Sequence, residues 1–511
     1  MLLATPLVAI PATAAADPGA PWDGTPISAG LGPTYGEDWC QPPDPGSSIA
    51  GLQGPPLAII PYEAVHCTVD QILGEGSAAG IPPRATYEIN TLTDLGREQL
   101  AVVVNALETP EQQRDYERWT QIRALMTSDP GAAQALLATF GTDVKMPIFI
   151  EANIHGGERE GTDAMLQVLR DLVTTPYGDH PVVDDVLDHS ILIIIPSTNP
   201  DGRYLGTRAN SNGFDMNRDL LVQSQPEIRA NIRLQLEWMA PVMFAMHGYV
   251  NPTLIDGLTK PHNPGLEYDI FANWNQRRLD ENELDFAVIE QSLTRPVNDY
   301  GSNGGQQANI ATTNGATQVG TTVTIQTTGS HGLSVGQMIE VAGVGEFAYN
   351  GEVVVTSVPA TNQFTYELDV SGLPPSGQGV VFTGNPAVAE GWDDWGPFYT
   401  QTYGAFFGVD GSTLEMCSNA SCGGRLGSKT AQYVGFYSSA DYWLANRDAI
   451  LHDQLTIAGR NVGNAPRVPC CDDPFLAERG FDAENHDWMV PYPKAFVIPS
   501  GISPGGRPLA F

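Results

Sequence analysis

A histidine and a glutamate three residues apart, with two glycines between them, occupy NIHGGEREG (153–161), directly behind the strand-like run PIFIEANI. His155 and Glu158 offer an imidazole nitrogen and a carboxylate, both metal-ligand types, and the glycines allow a tight turn that aims both at one point. Three further apolar runs end in polar, reactive residues: SILIIIPST in NPDGR (199–203), VMFAM in His247, and GSTL in Glu415. Beyond the carboxyl ends of the strands in an open α/β sheet the loops converge, so four such ends bring these groups together. Two imidazoles and a carboxylate, from His155, Glu158 and His247, make a three-ligand zinc set with a fourth position open, the composition of a catalytic site. His262, in KPHNPG, rivals His247, but its segment reads as loop whereas His247 ends a buried strand. His180, His189 and His452 stand in polar or helical contexts and read as surface residues, and His331 as a turn residue.

The elements that must position these residues alternate. TPEQQRDYERWTQIRALM opens with Thr109, Pro110 and Gln112, a capping-box helix start. PIFIEANI, SILIIIPS and APVMFAMHG read as buried strands, and GTDAMLQVLRDLV (161–173) and QPEIRANIRLQLEWM (225–239) as helices. The rhythm predicts an α/β fold with a mixed, mostly parallel central sheet and helices on both faces. Residues 311–384 break it: rich in Thr, Val and Gly with period-two alternation, they predict an inserted all-β module of five to seven strands. HGLSVGQ, YNGEVVVTSV and NQFTYEL resemble compact β modules of phage tail and bacterial surface proteins.

Composition bounds the function. With 511 residues and 42% hydrophobic content the chain supports a large core, and its net charge of −34 repels nucleic-acid backbones and anionic lipid. Residues 1–16 read as a clipped signal peptide ending at Ala16, and no later stretch is apolar enough to span a membrane, so a secreted or extracytoplasmic protein is expected. Six cysteines suit three disulfides there; Cys417 and Cys422 bracket a short loop and could pair locally, while Cys470 and Cys471 would more easily reach separate partners. Residues 17–85 form a Gly/Pro-rich lead-in with short elements, 86–460 the catalytic domain, and 461–511 an accessory or truncated segment.

NIHGGEREG, NPDGRYLGTRANSNGFDMNRD (199–219), MHGY (246–249) and GSTLEM (411–416), in this order, resemble the zinc metallocarboxypeptidases of carboxypeptidase A type over about residues 86–455 without the module. The resemblance implies one zinc ion per chain on His155, Glu158 and His247, and Glu415 as the general base that later protonates the leaving amine. It implies Arg208 beside the developing oxyanion and Asn217 with Arg218 on a free C-terminal carboxylate, whose planar shape suits a guanidinium fork. Tyr403 or Tyr399 is the candidate for the substrate-capping tyrosine, and the residue setting side-chain preference falls near Thr400. The implied activity is hydrolysis of C-terminal peptide bonds, with peptide or protein C-termini as partners. Two other readings are an amide deacylase of N-acyl amino acids on the same scaffold, and an inactive surface protein in which the β module does the binding.

Overall fold

The computed structural model describes residues 60–250, 253–256, 268–289, 293–294, 307–342, 344–368, 370–382 and 398–463. Residues 1–16, Cys40, His262, Cys470, Cys471 and everything after 463 lie outside the described residues.

Strands β1 (Ala85–Leu92), β2 (Glu98–Val104), β3 (Met146–Ala152), β4 (Ser190–Ile195), β5 (Val242–Val250), β6 (Thr253–Asp256) and β7 (Leu293–Thr294) share one sheet. Eight short strands between Gln307 and Phe382 (β8–β15) interrupt the chain before β16 (Asp410–Cys417) rejoins that sheet. The order is β1-β2-β4-β3-β5-β16-β6-β7. The four central strands, β4, β3, β5 and β16, run parallel, while β1, β2 and β6 add antiparallel pairings at the flanks. Every residue of β3, β4 and β16 is buried, as continuous apolar runs in a sheet covered on both sides should be.

The helices of that cover are α1 (Tyr62–Ala78), α2 (Pro110–Met126), α3 (Pro130–Phe140), α4 (Glu160–Thr174), α5 (Pro181–His189), α6 (Pro200–Leu205), α7 (Pro226–Trp238) and α8 (Tyr268–Val288), followed by Gly424–Ala445 and Arg447–Gly463. Successive strand residues point to opposite faces, so β5 shows where each layer lies. A Cβ on Gly161 of α4 would meet Met246 at 2.7 Å, and one on Gly435 would meet Phe244 at 3.4 Å. Met243, on the alternate face, takes the Gln235 amide of α7 at 3.6 Å. Helices therefore cover both faces, as the alternation predicts. The capping box at α2 is present in full: Thr109 accepts from the Gln112 N–H, and the Gln112 side chain accepts from the Thr109 N–H.

Two expectations are corrected. The 17–85 lead-in holds more than short elements, because α1 is a 17-residue helix whose Ala64, Val65, Val69 and Ile72 join the main core; the Gly/Pro richness before it masks this periodicity. Among the described residues the module has eight strands, the first at Gln307, ahead of the predicted 311: β13 (Ser357–Ala360), β14 (Gln363–Glu367), β10 (Thr322–Gln326) and β9 (Ala316–Val319) form one sheet, and β12 (Gly351–Val354), β11 (Met338–Ala342), β15 (Val380–Phe382) and β8 (Gln307–Asn309) the other. It has its own core, including Val323, Ile325, Ile339, Phe364 and Tyr366. His331, read as a turn residue, is buried: it is 2% exposed, accepts the Leu333 N–H at 3.0 Å and packs edge-on against Phe364 of that core. Of the histidines read as surface residues, His452 is exposed while His180 and His189 are half-buried.

Candidate active site

His155 and Glu158 lie in the turn between β3 and α4, with the Glu158 N–H donating to the His155 carbonyl at 3.0 Å. The turn's left-handed residue is Asn153, at φ 60°, not either glycine. Its side-chain amide donates to the carbonyls of His155 (2.8 Å) and Glu158 (2.9 Å), and its oxygen accepts from Ser197 Oγ at 2.9 Å, so one buried asparagine braces the whole turn. Gly156 is required for a different reason from the one its spacing suggests. A Cβ there would fall 2.0 Å from the Gly202 carbonyl carbon, because α6 packs flush against the turn.

That contact also explains NPDGR, which is scaffold rather than chemistry. Asn199 caps α6 by accepting the Gly202 N–H at 2.8 Å, Asp201 accepts from Thr93 and Arg97, and buried Arg203 pairs with Asp163 at 3.2 Å.

His247 and Glu415 arrive by strand register. They are direct Cα partners on the parallel strands β5 and β16, which leaves Glu415 Oε1 4.0 Å from His247 Nδ1. The main chain beneath is held by Gln432, whose amide donates to the His247 carbonyl at 2.8 Å. His155 Nδ1 lies 2.9 Å from both Glu158 oxygens, His247 Nδ1 lies 3.3 Å from Glu158 Oε2, and the two Nδ1 atoms are 3.2 Å apart. All three residues are buried, and their ligand atoms fall within 4.8 Å of one another.

The donor set fits zinc. Tetrahedral ligands about 2.0–2.1 Å from an ion stand about 3.3–3.4 Å from each other, close to the 3.2 Å and 3.3 Å found for His247 against its two partners. The charges agree: Glu158, Glu415 and Asp215 put three carboxylates around the cluster, against one nearby guanidinium, from Arg208. A bound cation would offset the cost of ionising these carboxyls so close together.

Each carboxyl responds to this setting differently. Burial opposes ionisation of Glu158, but contacts with His155 and His247 outweigh it and hold the group down at about 2. Burial pushes Glu415 up to about 7; His247 and Arg208 pull the other way and Glu158 adds to the rise. Asp215 resists its own partial burial through His155 and Arg208, and stays well below the usual carboxylate range.

Arg208 joins this group from the α6 side, with Nε 3.0 Å from Asp215 Oδ2 and a terminal nitrogen 3.6 Å from Glu158 Oε1; its side chain is half-exposed. Asn217 and Arg218 lie in one 3-10 turn, Met216–Arg218, capped by Asp215 through the Asn217 N–H at 3.0 Å. Arg218 is exposed, with its guanidinium 4.3 Å from the Tyr399 ring centroid. Thr400, one residue on, donates through its N–H (2.9 Å) and its hydroxyl (3.0 Å) to Asn217 Oδ1. Tyr403 stands apart. Its hydroxyl takes the Gln223 amide at 3.0 Å, and its ring packs against the cluster containing Ile154, Met216 and Leu220.

Sequence reasoning assigned no role to Asp215, Asn153 or Glu151. Asp215 was in view inside GFDMNRD, two residues before Asn217, but its contact with His155 crosses 60 positions of chain and has no local signal. Asn153 carried a usable one, an asparagine ending a strand just before a turn. Glu151 is a carboxyl in the middle of an apolar run, buried beside Asn231 of α7, whose amide donates to it at 3.2 Å.

Cys417 and Cys422 are joined in a disulfide across the end of β16, with Cα atoms 6.0 Å apart. Among the described residues no helix is long and apolar enough to cross a membrane.

Residues 121–249 match the family model for zinc carboxypeptidases. The chain is 34% identical over 91 residues to mouse (Mus musculus) carboxypeptidase D, covering 16% of this chain and 6% of that protein. It is 30% identical over 111 residues to mouse carboxypeptidase M (19% and 24%), and 30% identical over 110 residues to carboxypeptidase SOL1 of Arabidopsis thaliana (19% and 21%). The matched part thus spans less than about a quarter of each of these relatives. Among solved structures, a metallo-carboxypeptidase from Burkholderia cenocepacia aligns at TM-score 0.40 with 14% identity, over 73% of this chain and 68% of that one. One from Pseudomonas aeruginosa aligns at TM-score 0.39 with 14% identity, over 76% and 70%. The segment that matches the zinc carboxypeptidase family model, 121–249, carries His155, Glu158, Arg208, Asn217, Arg218 and His247.

Proposed function

We propose that this protein is a zinc-dependent exopeptidase that removes residues from the free C-termini of peptides, in an extracytoplasmic setting. The observation that carries the reading is the convergence of His155 Nδ1, His247 Nδ1 and the Glu158 carboxylate, with Glu415 beside them and the Asn217–Arg218 turn close to Thr400. Such a set, unlike a buried ion pair, has no structural need for two imidazole nitrogens 3.2 Å apart. A zinc ion held by these three residues would polarise the scissile carbonyl and make an attacking water acidic near neutral pH.

The remaining steps belong to the chain. Glu415 takes the proton from the water and passes it to the departing amine; a carboxyl raised towards neutrality by burial suits both transfers. Arg208, fixed by Asp215 yet half-exposed, supplies positive charge where the carbonyl oxygen becomes anionic, a contribution of about 3 kcal/mol in comparable sites. Arg218 takes the substrate carboxylate through its fork of N–H donors, with Tyr399 backing the guanidinium, and the Asn217 amide donates beside it. Tyr399, stacked on Arg218, is better placed than Tyr403 to close over a bound C-terminus. The Cys417–Cys422 disulfide supports the extracytoplasmic setting.

The test is a peptide library read by mass spectrometry, with zinc content measured in parallel. Stepwise loss from C-termini that amidation blocks is expected, with about one zinc per chain that His247→Ala removes. Internal cleavage or deacylation alone, or a metal-free active enzyme, would overturn the reading.

A further inference from the structure

Asn217 is bound in an asymmetric way. Its Oδ1 receives two hydrogen bonds from a single residue, the Thr400 N–H at 2.9 Å and the Thr400 hydroxyl at 3.0 Å. Among the described residues its amide nitrogen has no protein partner, although the residue is 6% exposed. An asparagine side chain has two nearly isosteric orientations, and the donors around it decide between them. Here two donors on one side settle the question: the carbonyl must face Thr400, and the NH2 group must face away.

We infer that Thr400 is a positioning residue for substrate recognition: by occupying Asn217 Oδ1 with two donors it commits the Asn217 NH2 group to an acceptor on the ligand, the C-terminal carboxylate. The alternative orientation would place a carbonyl oxygen against that carboxylate, next to Arg218, and repel it. This deepens the exopeptidase reading and rests on it.

The backbone bond alone would tolerate any residue at position 400. The hydroxyl makes the residue type matter, and it is fully buried, 0% exposed. The competing acceptor for its proton is Glu151. One Glu151 oxygen accepts from Asn231 at 3.2 Å, and the carboxyl also lies within the influence of the Thr400 hydroxyl. An ionised Glu151 would draw the Thr400 proton away from Asn217. Burial raises this carboxyl above its ordinary range, against the opposing influence of Thr400, His247 and Asn231, which weakens its competition for that proton.

The experiment compares Thr400→Val, which keeps the shape and the N–H but loses the hydroxyl, with Thr400→Ser, which keeps both. The substrate is a peptide with a free C-terminus, its C-terminal amide is the control, and zinc content reports that each variant is folded. Loss of one hydrogen bond to a substrate-gripping group predicts about tenfold higher KM in Thr400→Val with kcat within about twofold, and recovery to near wild type in Thr400→Ser. In an Asn217→Ala background the Thr400→Val change should add nothing, since it acts only through that amide. Unchanged KM in Thr400→Val, equal impairment of Val and Ser, or an undiminished effect without Asn217 would each overturn the assignment. Hydrolysis of the amide as fast as the acid by the wild type would instead overturn the carboxylate grip itself, and this inference with it.

Discussion

Asp215 Oδ1 stands 3.3 Å from Nε2 of His155, while the opposite ring nitrogen, Nδ1, faces the two oxygens of Glu158 at 2.9 Å. The imidazole is thus held from behind by a carboxylate that is also the cap of the Met216–Arg218 turn and the partner of Arg208. One side chain ties the metal half of the site to the substrate half.

Asp215→Asn keeps the size of this brace and removes its charge. The His155 ring loses the negative charge 3.3 Å from Nε2 that favours a proton there, so Nδ1 becomes a poorer ligand. Zinc affinity should fall by about 10–100-fold, measured by competition with a chromophoric chelator. An affinity unchanged within twofold would show that Asp215 serves only Arg208 and the turn.

Glu415→Gln separates chemistry from binding. Glutamine fills the same volume beside His247 but cannot accept the water proton, so zinc content should stay at the wild-type level while turnover falls by about 10²–10⁴-fold. Loss of zinc along with activity would make Glu415 a ligand; retained turnover would remove it from the mechanism.

Much of this geometry was legible before any coordinates, for a physical reason. Parallel strands with both faces covered are written as unbroken apolar runs, so their ends are visible, and chemistry clusters at strand ends; His155, Glu158, His247 and Glu415 were found that way. What escaped depends on contacts between segments far apart in sequence. The Glu415–His247 register on β16 and β5 crosses the inserted module, and nothing local reports it. Asp215 behind His155 and Thr400 on Asn217 are side-chain bonds across 60 and 183 positions. The glycines of NIHGGEREG are read as allowing a tight turn, and the structure shows how that turn is built. Its left-handed residue is Asn153, and Gly156 is needed where α6 closes in.

Arg218→Lys tests the shape of the carboxylate grip rather than its charge. Lysine keeps the positive charge but offers a point donor in place of a planar fork, and it loses the flat stacking on Tyr399. KM for a peptide with a free C-terminus should rise by about tenfold or more, with a smaller change in kcat, in a steady-state assay. Equal KM values would mean that charge alone recruits the C-terminus.

Asp410, at the start of β16, gives the fold a pH dependence that can be isolated. It is buried, accepts the Asn275 amide at 2.6 Å, and is pushed up to about 7 by burial, against the opposing charge of Arg278. In the unfolded chain an aspartate titrates near 4. Between about 4 and about 7 the folded state therefore binds more protons than the unfolded state, and stability contributed by this group falls as pH rises. The contribution is fully present below about 4 and lost above about 7, a swing of a few kcal/mol. His189 runs the other way: burial pushes it down to about 4, so between about 4 and about 6.5 the unfolded state holds the extra proton and stability rises with pH. The comparison should thus be wild type against Asp410→Asn, which keeps an acceptor for Asn275 but cannot titrate. In chelator-treated protein, so that metal loading does not change with pH, urea midpoints at pH 5 and pH 8 should favour wild type at the lower pH and Asp410→Asn at the higher. A difference between the two proteins that does not change with pH would place the Asp410 titration in its ordinary range and remove this dependence from the fold.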